Sequence, residues 1–112
     1  MYKIYHNPKC TKSREGLEFL KSKNVDFEVI EYLKNPLTES ELKNLLMLLN
    51  LKPLDIVRTQ EELYKTEYKN LKLSDAEWIK IMVQNPKLIQ RPIVVKNHKA
   101  VVARPAENID LL

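Results

Sequence analysis

The fold is decided by residues 2–31, which read YKIYHNPKCTKSREGLEFLKSKNVDFEVIE. Residues 2–6 are a β-rich run that ends in an Asn-Pro turn signal, and residues 11–23 suit a helix with its leucines on one face. Residues 26–31, with Phe27, Val29 and Ile30, are predicted to form a second strand. A strand, a helix and a strand at this spacing make a βαβ unit, whose two strands are expected to be parallel.

The middle of the chain predicts helices. A hydroxyl residue followed by glutamate three positions later marks a helix start at 38–41 and at 74–77, and a weaker start at 59–62. Apolar residues follow the first two starts at helical spacing. We expect them to face the core: Leu42, Leu45, Leu46 and Leu49, then Ile79, Met82 and Val83.

The chain returns to β structure near its end. Residues 92–96 and 99–103 are β-branched runs joined by a two-residue Asn-His turn, and Pro105 opens a short closing helix. The order is therefore βαβ, a helical insertion at about 38–85, and ββα.

This order fits one α/β domain over residues 1–112, with helices on a mixed sheet in the thioredoxin-like architecture. In that architecture the proline at the entrance to the third strand, here Pro92, is commonly cis and faces the reactive cysteine.

The composition indicates a folded domain with a mildly basic surface. The 112 residues are 44% hydrophobic and 30% charged, with a net charge of +4, as in an ordinary globular protein. The lysines are scattered among acids, a pattern that indicates a solvated surface rather than a nucleic-acid interface. Because no signal peptide or membrane-spanning run is recognisable and one cysteine cannot form an internal disulfide, we expect a cytoplasmic protein.

Cys10 is the residue whose role needs an explanation. A single cysteine is often a small buried hydrophobe, or it could be half of a Cys-x-x-Cys pair whose fourth position is now Ser13. Its polar and basic neighbours favour a nucleophile instead. At the start of a helix, unpaired N–H groups and the helix dipole stabilise a thiolate. Ser13 is predicted to donate a hydrogen bond to this thiolate, and Arg14 to add positive charge.

The residues that follow Cys10 exclude one class of thiol reaction and restrict another. A phosphatase-type loop needs an arginine after five intervening residues, and that position is Gly16. Without Cys-x-x-Cys, a redox reaction at Cys10 needs a resolving thiol from another molecule.

Arginine is rare in this lysine-rich chain, and three arginines lie at the ends of predicted elements: Arg58, Arg91 and Arg104. Guanidinium groups offer fork-shaped donors that match tetrahedral oxyanions. If the fold brings these arginines beside Cys10, they surround a thiolate nucleophile with an oxyanion clamp.

The sequence resembles the glutaredoxin-coupled arsenate reductases of thioredoxin-like fold, and the resemblance covers nearly the whole chain. YHNPKCTKSRE (5–15) is similar to the family's nucleophile loop, RPIVV (91–95) to its cis-proline strand, and ARPAE (103–107) to its C-terminal arginine element. Arg58 lies where the family carries its first arginine. Thr11 and Lys12 replace smaller residues that some members carry after the cysteine.

The resemblance implies a mechanism in which Cys10 attacks arsenate. The arginines Arg58, Arg91 and Arg104 would hold the oxyanion and stabilise the charge that develops at arsenic. His6 would tune the Cys10 thiolate. Glutathione then reduces the thiol–arsenate adduct, and glutaredoxin resolves it so that arsenite leaves. The resemblance implies no metal and no bound cofactor.

Two alternatives stay open. The chain could be a glutathione-dependent thiol reductase with another substrate, although a neutral disulfide needs no arginine clamp. It could also be an Spx-like redox regulator that binds RNA polymerase, but those relatives usually carry Cys-x-x-Cys and lack the late arginine that Arg104 supplies. Small size and capped, polar-faced helices predict a monomer.

Overall fold

The frame of the protein is a four-stranded mixed sheet. The computed structural model describes residues 1–112, which divide into two compact units, 1–35 with 91–112 and 36–90. The first unit contains β1 (Tyr2–Tyr5), α1 (Thr11–Ser22), β2 (Phe27–Ile30), β3 (Ile93–Lys96), β4 (Lys99–Val102) and a closing 3-10 helix (Ala106–Leu111).

The strand order is β2-β1-β3-β4. The β1 and β2 strands are parallel, with Tyr2 opposite Phe27, as the βαβ pattern predicted. The β3 strand runs antiparallel to both β1 and β4. Asn97 adopts a positive φ of 55° in the turn between β3 and β4, a conformation that asparagine tolerates. The predicted βαβ and ββα halves are therefore confirmed.

The first unit has its own apolar core between the sheet, α1 and the closing helix. Its centre includes Ile4, Leu20, Val94 and Ile109, all fully buried. The closing helix was expected after Pro105 and is of the 3-10 type, which suits a short terminal run.

Gly16 allows α1 to approach the sheet closely. A Cβ at this position would lie 2.6 Å from Cγ of Pro92 and 3.8 Å from Cβ of Ala103. The Arg91–Pro92 peptide bond is cis, as predicted, and so is Arg104–Pro105. The helix that begins after Cys10 is thus packed directly on the cis-proline.

The second unit consists of helices. It contains α2 (Glu39–Leu49), a 3-10 helix (Pro53–Ile56), a π-helix (Tyr64–Tyr68), α3 (Asp75–Gln84) and a 3-10 helix (Pro86–Leu88). Both predicted capping boxes are present, because the Thr38 and Ser74 hydroxyls accept the amides of Glu41 and Glu77 at 3.1 and 3.2 Å. None of the helices combines the length and apolar character needed to cross a membrane.

The predicted apolar stripes of α2 and α3 are buried, with one exception. Leu42, Leu45, Leu46 and Leu49 are buried on α2, and Ile79 and Met82 on α3. Val83 was expected to face the core but is only half-buried. The weaker helix signal at 59–62 leads into the π-helix, whose Tyr64 and Tyr68 rings lie 6.1 and 5.9 Å from the Trp78 ring.

Candidate active site

The loop between β1 and α1 positions Cys10 at the N-cap of α1. The Cys10 amide donates to the carbonyl of Asn7 at 3.0 Å, and the Arg14 amide donates to the carbonyl of Cys10 at 3.0 Å. The buried side chain of Asn7 accepts the Lys9 amide at 3.1 Å. Asn7 therefore fixes the loop backbone on the N-terminal side of the cysteine.

A buried hydrogen-bond chain links the two ends of this loop. Ser13 Oγ accepts the Asn7 amide at 2.9 Å and lies 2.7 Å from His6 Nδ1. Burial lowers the pKa of His6 and outweighs the favourable charge of Glu31. With the ring neutral and its proton on Nε2, Nδ1 accepts the Ser13 hydroxyl proton. The Ser13 hydroxyl is thus engaged by the loop itself.

Cys10 is half-buried and is stabilised as a thiolate. Burial raises its pKa, but the Ser13 amide, a hydrogen bond from Arg91 and the Arg91 charge outweigh this effect and hold the pKa below its ordinary value. The Lys12 amide acts in the same direction, although Cys10 makes no regular side-chain cap hydrogen bond. Ser13 was predicted as a donor to the thiolate, and it acts through its backbone N–H rather than its hydroxyl.

The structure brings Arg91 and Cys10 together. Arg91 is buried and precedes the cis-Pro92 that contacts Gly16 of α1. A buried guanidinium beside a half-buried sulfur both favours the thiolate and offers donors to an anion bound there.

The Arg14 side chain, which was predicted to add positive charge near Cys10, is hydrogen-bonded to the loop. Its guanidinium donates to the Pro8 carbonyl at 3.1 Å and to Thr11 Oγ1 at 3.3 Å. Its charge acts on His6, whose pKa it lowers slightly, whereas Arg91 is the charge that acts on Cys10. Arg14 therefore stabilises the exposed side of the loop between β1 and α1.

Arg104 lies two residues after the end of β4, in the same unit. Asn108 donates from Nδ2 to the carbonyls of Val102 and Arg104 at 3.2 and 3.4 Å, and its amide bonds to the Pro105 carbonyl at 3.0 Å. Asn108 thus holds the turn that carries Arg104. Sequence reasoning missed this residue, because an asparagine in a predicted helix gives no signal of its tertiary partners.

Arg58 belongs to the second unit, and both its backbone and its side chain are hydrogen-bonded there. Its amide donates to the Leu88 carbonyl at 2.7 Å, and its Nε bonds to Glu61 Oε2 at 3.2 Å. The side chain is 12% exposed, and its buried Nη1 has no hydrogen-bond partner. A buried donor without a partner is costly unless a ligand satisfies it. Glu61 was not predicted, although its i,i+3 spacing from Arg58 is that of a helical ion pair.

The fold and the site define a class: a thioredoxin-like protein with a single activated cysteine at the start of its first helix and an arginine beside it. The chain belongs to the ArsC family, whose sequence profile matches residues 5–112.

Relatives match along nearly the full length. The chain is 45% identical to the uncharacterized protein YfgD of Escherichia coli K12, over 96% of this chain and 92% of the relative. It is 39% identical to an arsenate reductase of Neisseria meningitidis serogroup A, over 96% and 94%. The structure of an arsenate reductase from Vibrio cholerae superposes with a TM-score of 0.93 at 42% identity, over 99% and 97% of the two chains. This match confirms the predicted thioredoxin-like fold.

Proposed function

We propose that this protein reduces arsenate to arsenite, with Cys10 as the nucleophile. The observation that carries the proposal is the contact between a buried arginine, Arg91, and the Cys10 sulfur at the start of α1. A thiolate beside fixed cationic donors is suited to attack an oxyanion, because the same donors hold the substrate and neutralise its charge. Membership of the ArsC family supports this choice of oxyanion.

The reaction can be written as four balanced steps. The Cys10 sulfur forms a bond to arsenic, and one arsenate oxygen leaves as water. The sulfur of glutathione then bonds to arsenic, and a second oxygen leaves as water. The glutaredoxin thiolate attacks the glutathione sulfur, and the arsenic–sulfur electron pair stays on arsenic, which is reduced from As(V) to As(III). Water finally releases arsenite and restores Cys10, so that the oxidised product is the glutathione–glutaredoxin disulfide.

The arginines have proposed roles in these steps. Arg91 stabilises both the thiolate and the charge that develops on the arsenate oxygens. Arg58 and Arg104 are proposed to complete the clamp. The unpartnered Nη1 of Arg58 supports the first of these roles. His6 is proposed to act on the thiolate only through Ser13 and the loop backbone.

The external thiols, glutathione and glutaredoxin, are part of the proposal, and no cofactor has to be resident. One cysteine suffices because both further sulfurs come from these partners. The reducing cytoplasm supplies these thiols, so we propose that the protein acts there. We also propose that it acts as a monomer.

The test is arsenate-dependent oxidation of NADPH in the presence of glutathione, glutaredoxin and glutathione reductase. We expect turnover by the wild type and none by Cys10→Ser. The exposed substitution Glu28→Gln on β2 serves as the matched control and should retain activity. Full activity of Cys10→Ser would contradict the assignment of the nucleophile. Turnover of disulfides without any arsenate activity would favour a thiol reductase, and capture of the RNA polymerase α subunit without turnover would favour a regulator.

A further inference from the structure

A groove of about 720 Å³ runs along α1 in the first unit. One wall is the exposed side of α1, including Thr11, Arg14 and Phe19, and the other is formed by the start of the closing helix, Pro105 to Glu107. The volume is in the range of small-molecule sites. The groove extends along α1 from residue 11 to residue 19, about 12 Å at the rise of an α-helix, so it can take a short peptide.

Both walls begin beside a residue of the proposed active site. Thr11 follows Cys10 directly, and Pro105 follows Arg104 directly. Cys10 and Arg104 do not line the groove themselves, but a molecule at its Thr11 end lies one residue along the chain from the nucleophile. Of the proposed reactants, the one that needs such a place is the first external thiol, since its sulfur must reach the arsenic bound to Cys10.

The charges of the groove indicate what kind of thiol fits. Lys12 is paired with Glu15, and Glu18 with Lys21, each at 3.5 Å. The remaining charged residues are Arg14, which donates to a carbonyl and a hydroxyl, and Glu107, which forms no ion pair. One cation and one anion without opposite charges line the same groove, and this arrangement complements a zwitterion.

We propose that the groove binds glutathione, with its γ-glutamyl α-carboxylate on Arg14 and its α-ammonium on Glu107. This inference rests on the proposed function, because it takes glutathione as the external thiol. Phe19 lies at the far end of the groove and supplies apolar contact to the methylene groups of the γ-glutamyl arm. Small thiols lack both charged groups of that arm and gain nothing from the groove.

The kinetic test compares thiols at saturating arsenate and without glutaredoxin, so that each thiol also resolves its own adduct and the preference measured is that of this protein. The wild type should prefer glutathione over Cys-Gly, which lacks the γ-glutamyl arm, and over 2-mercaptoethanol. Each of Glu107→Gln and Arg14→Gln should lower the ratio of kcat/KM for glutathione to that for 2-mercaptoethanol by about tenfold, as expected for the loss of one charged hydrogen bond. Glu28→Gln should leave the ratio unchanged. Equal use of glutathione and Cys-Gly by the wild type, or an unaltered ratio in both groove variants, overturns the inference.

A binding test separates this inference from the proposed function. S-methylglutathione cannot react, so its binding to the wild type can be followed by NMR whether or not arsenate is reduced. Amide shifts at α1 and residues 105–107 that weaken in Glu107→Gln support the groove. The absence of such shifts, or shifts only elsewhere, overturns it. Binding in the groove with no arsenate turnover would instead overturn the proposed function and leave the groove as a glutathione site.

Discussion

At the residue scale, the pKa of Cys10 depends on Arg91 more than on Arg14, although Arg14 is nearer to it in sequence. Arg91→Gln removes a charge and a donor from the sulfur, so the pKa of Cys10 should rise. The pH profile of alkylation by iodoacetamide should move to higher pH, because only the thiolate reacts. Arg14→Gln is the matched control, since Arg14 bonds to the loop rather than to the sulfur. An equal displacement of the profile in both variants would contradict the assignment to Arg91.

Glu61 gives a second prediction at this scale. Its carboxylate holds Nε of Arg58, and the two side chains are 25% and 12% exposed. Glu61→Ala leaves a buried guanidinium without its counter-charge, and we expect a loss of about 1–2 kcal/mol of unfolding free energy in urea. Glu61→Gln keeps an acceptor and should lose less, while Glu62→Ala at the exposed neighbouring position should have little effect. Equal losses at 61 and 62 would show that the pair adds no stability.

At the element scale, the packing of α1 on Pro92 depends on Gly16. Gly16→Ala raises helix propensity by up to about 1 kcal/mol, but its Cβ would lie 2.6 Å from Pro92 Cγ. We expect a net destabilisation of about 1–3 kcal/mol, as for other overpacked cores, measured by urea unfolding. Glu18→Ala on the exposed side of the same helix is the control, because a surface ion pair such as the one between Glu18 and Lys21 contributes little. A Gly16→Ala variant more stable than the wild type would show that the helix can shift without cost.

The capping boxes of α2 and α3 provide another prediction. Thr38→Ala and Ser74→Ala each remove a side-chain acceptor for a first-turn amide. Each should cost about 1 kcal/mol of unfolding free energy. The controls are Ser40→Ala and Ala76→Ser, at exposed positions one residue inside each helix start, where no cap is present. Unfolding free energies equal to the wild type in both cap variants would contradict this role.

The elements differ in how far sequence could predict them. The capping boxes and the leucine stripe of α2 were recognisable because their hydrogen bonds and spacing are local. The π-helix at Tyr64–Tyr68 was not, since its two tyrosine rings pack against Trp78 of α3 and this contact joins separate elements. The 3-10 form of the closing helix also has no local signature.

In the candidate active site too, some features could be predicted from sequence and others could not. Cys10 and Arg91 were recognisable as residue types at the ends of elements, whereas the partner of the Ser13 hydroxyl was not, because a serine can donate from two places. The helix start at Cys10 makes the backbone N–H groups of Lys12 and Ser13 available to the sulfur, while His6 and Asn7 engage the Ser13 hydroxyl. Only the folded loop distinguishes the two.

At the scale of the whole molecule, buried His6 makes stability depend on pH. Its pKa in the folded state lies below the ordinary value of 6.5, so the unfolded chain binds the proton more readily. Stability is therefore lost as the pH falls from about 6.5 through the lowered pKa. For His6→Gln, the difference in urea midpoint from the wild type should be largest near pH 7.5 and narrow toward pH 5. A difference that stays constant would show that His6 does not titrate in this way.

The strand order has a consequence for synthesis on the ribosome. The β1 strand is central, and its partner β3 lies at the other end of the chain, with Tyr2 opposite Lys96. Residues 36–90 form one contiguous segment, so the helices that pack together there are synthesised one after another. The β1 strand, in contrast, keeps one unpaired edge until β3 has been synthesised. An unpaired strand edge is a template for aggregation. A nascent chain stalled before residue 93 therefore exposes the β1 edge, and this is where we expect a chaperone to be needed.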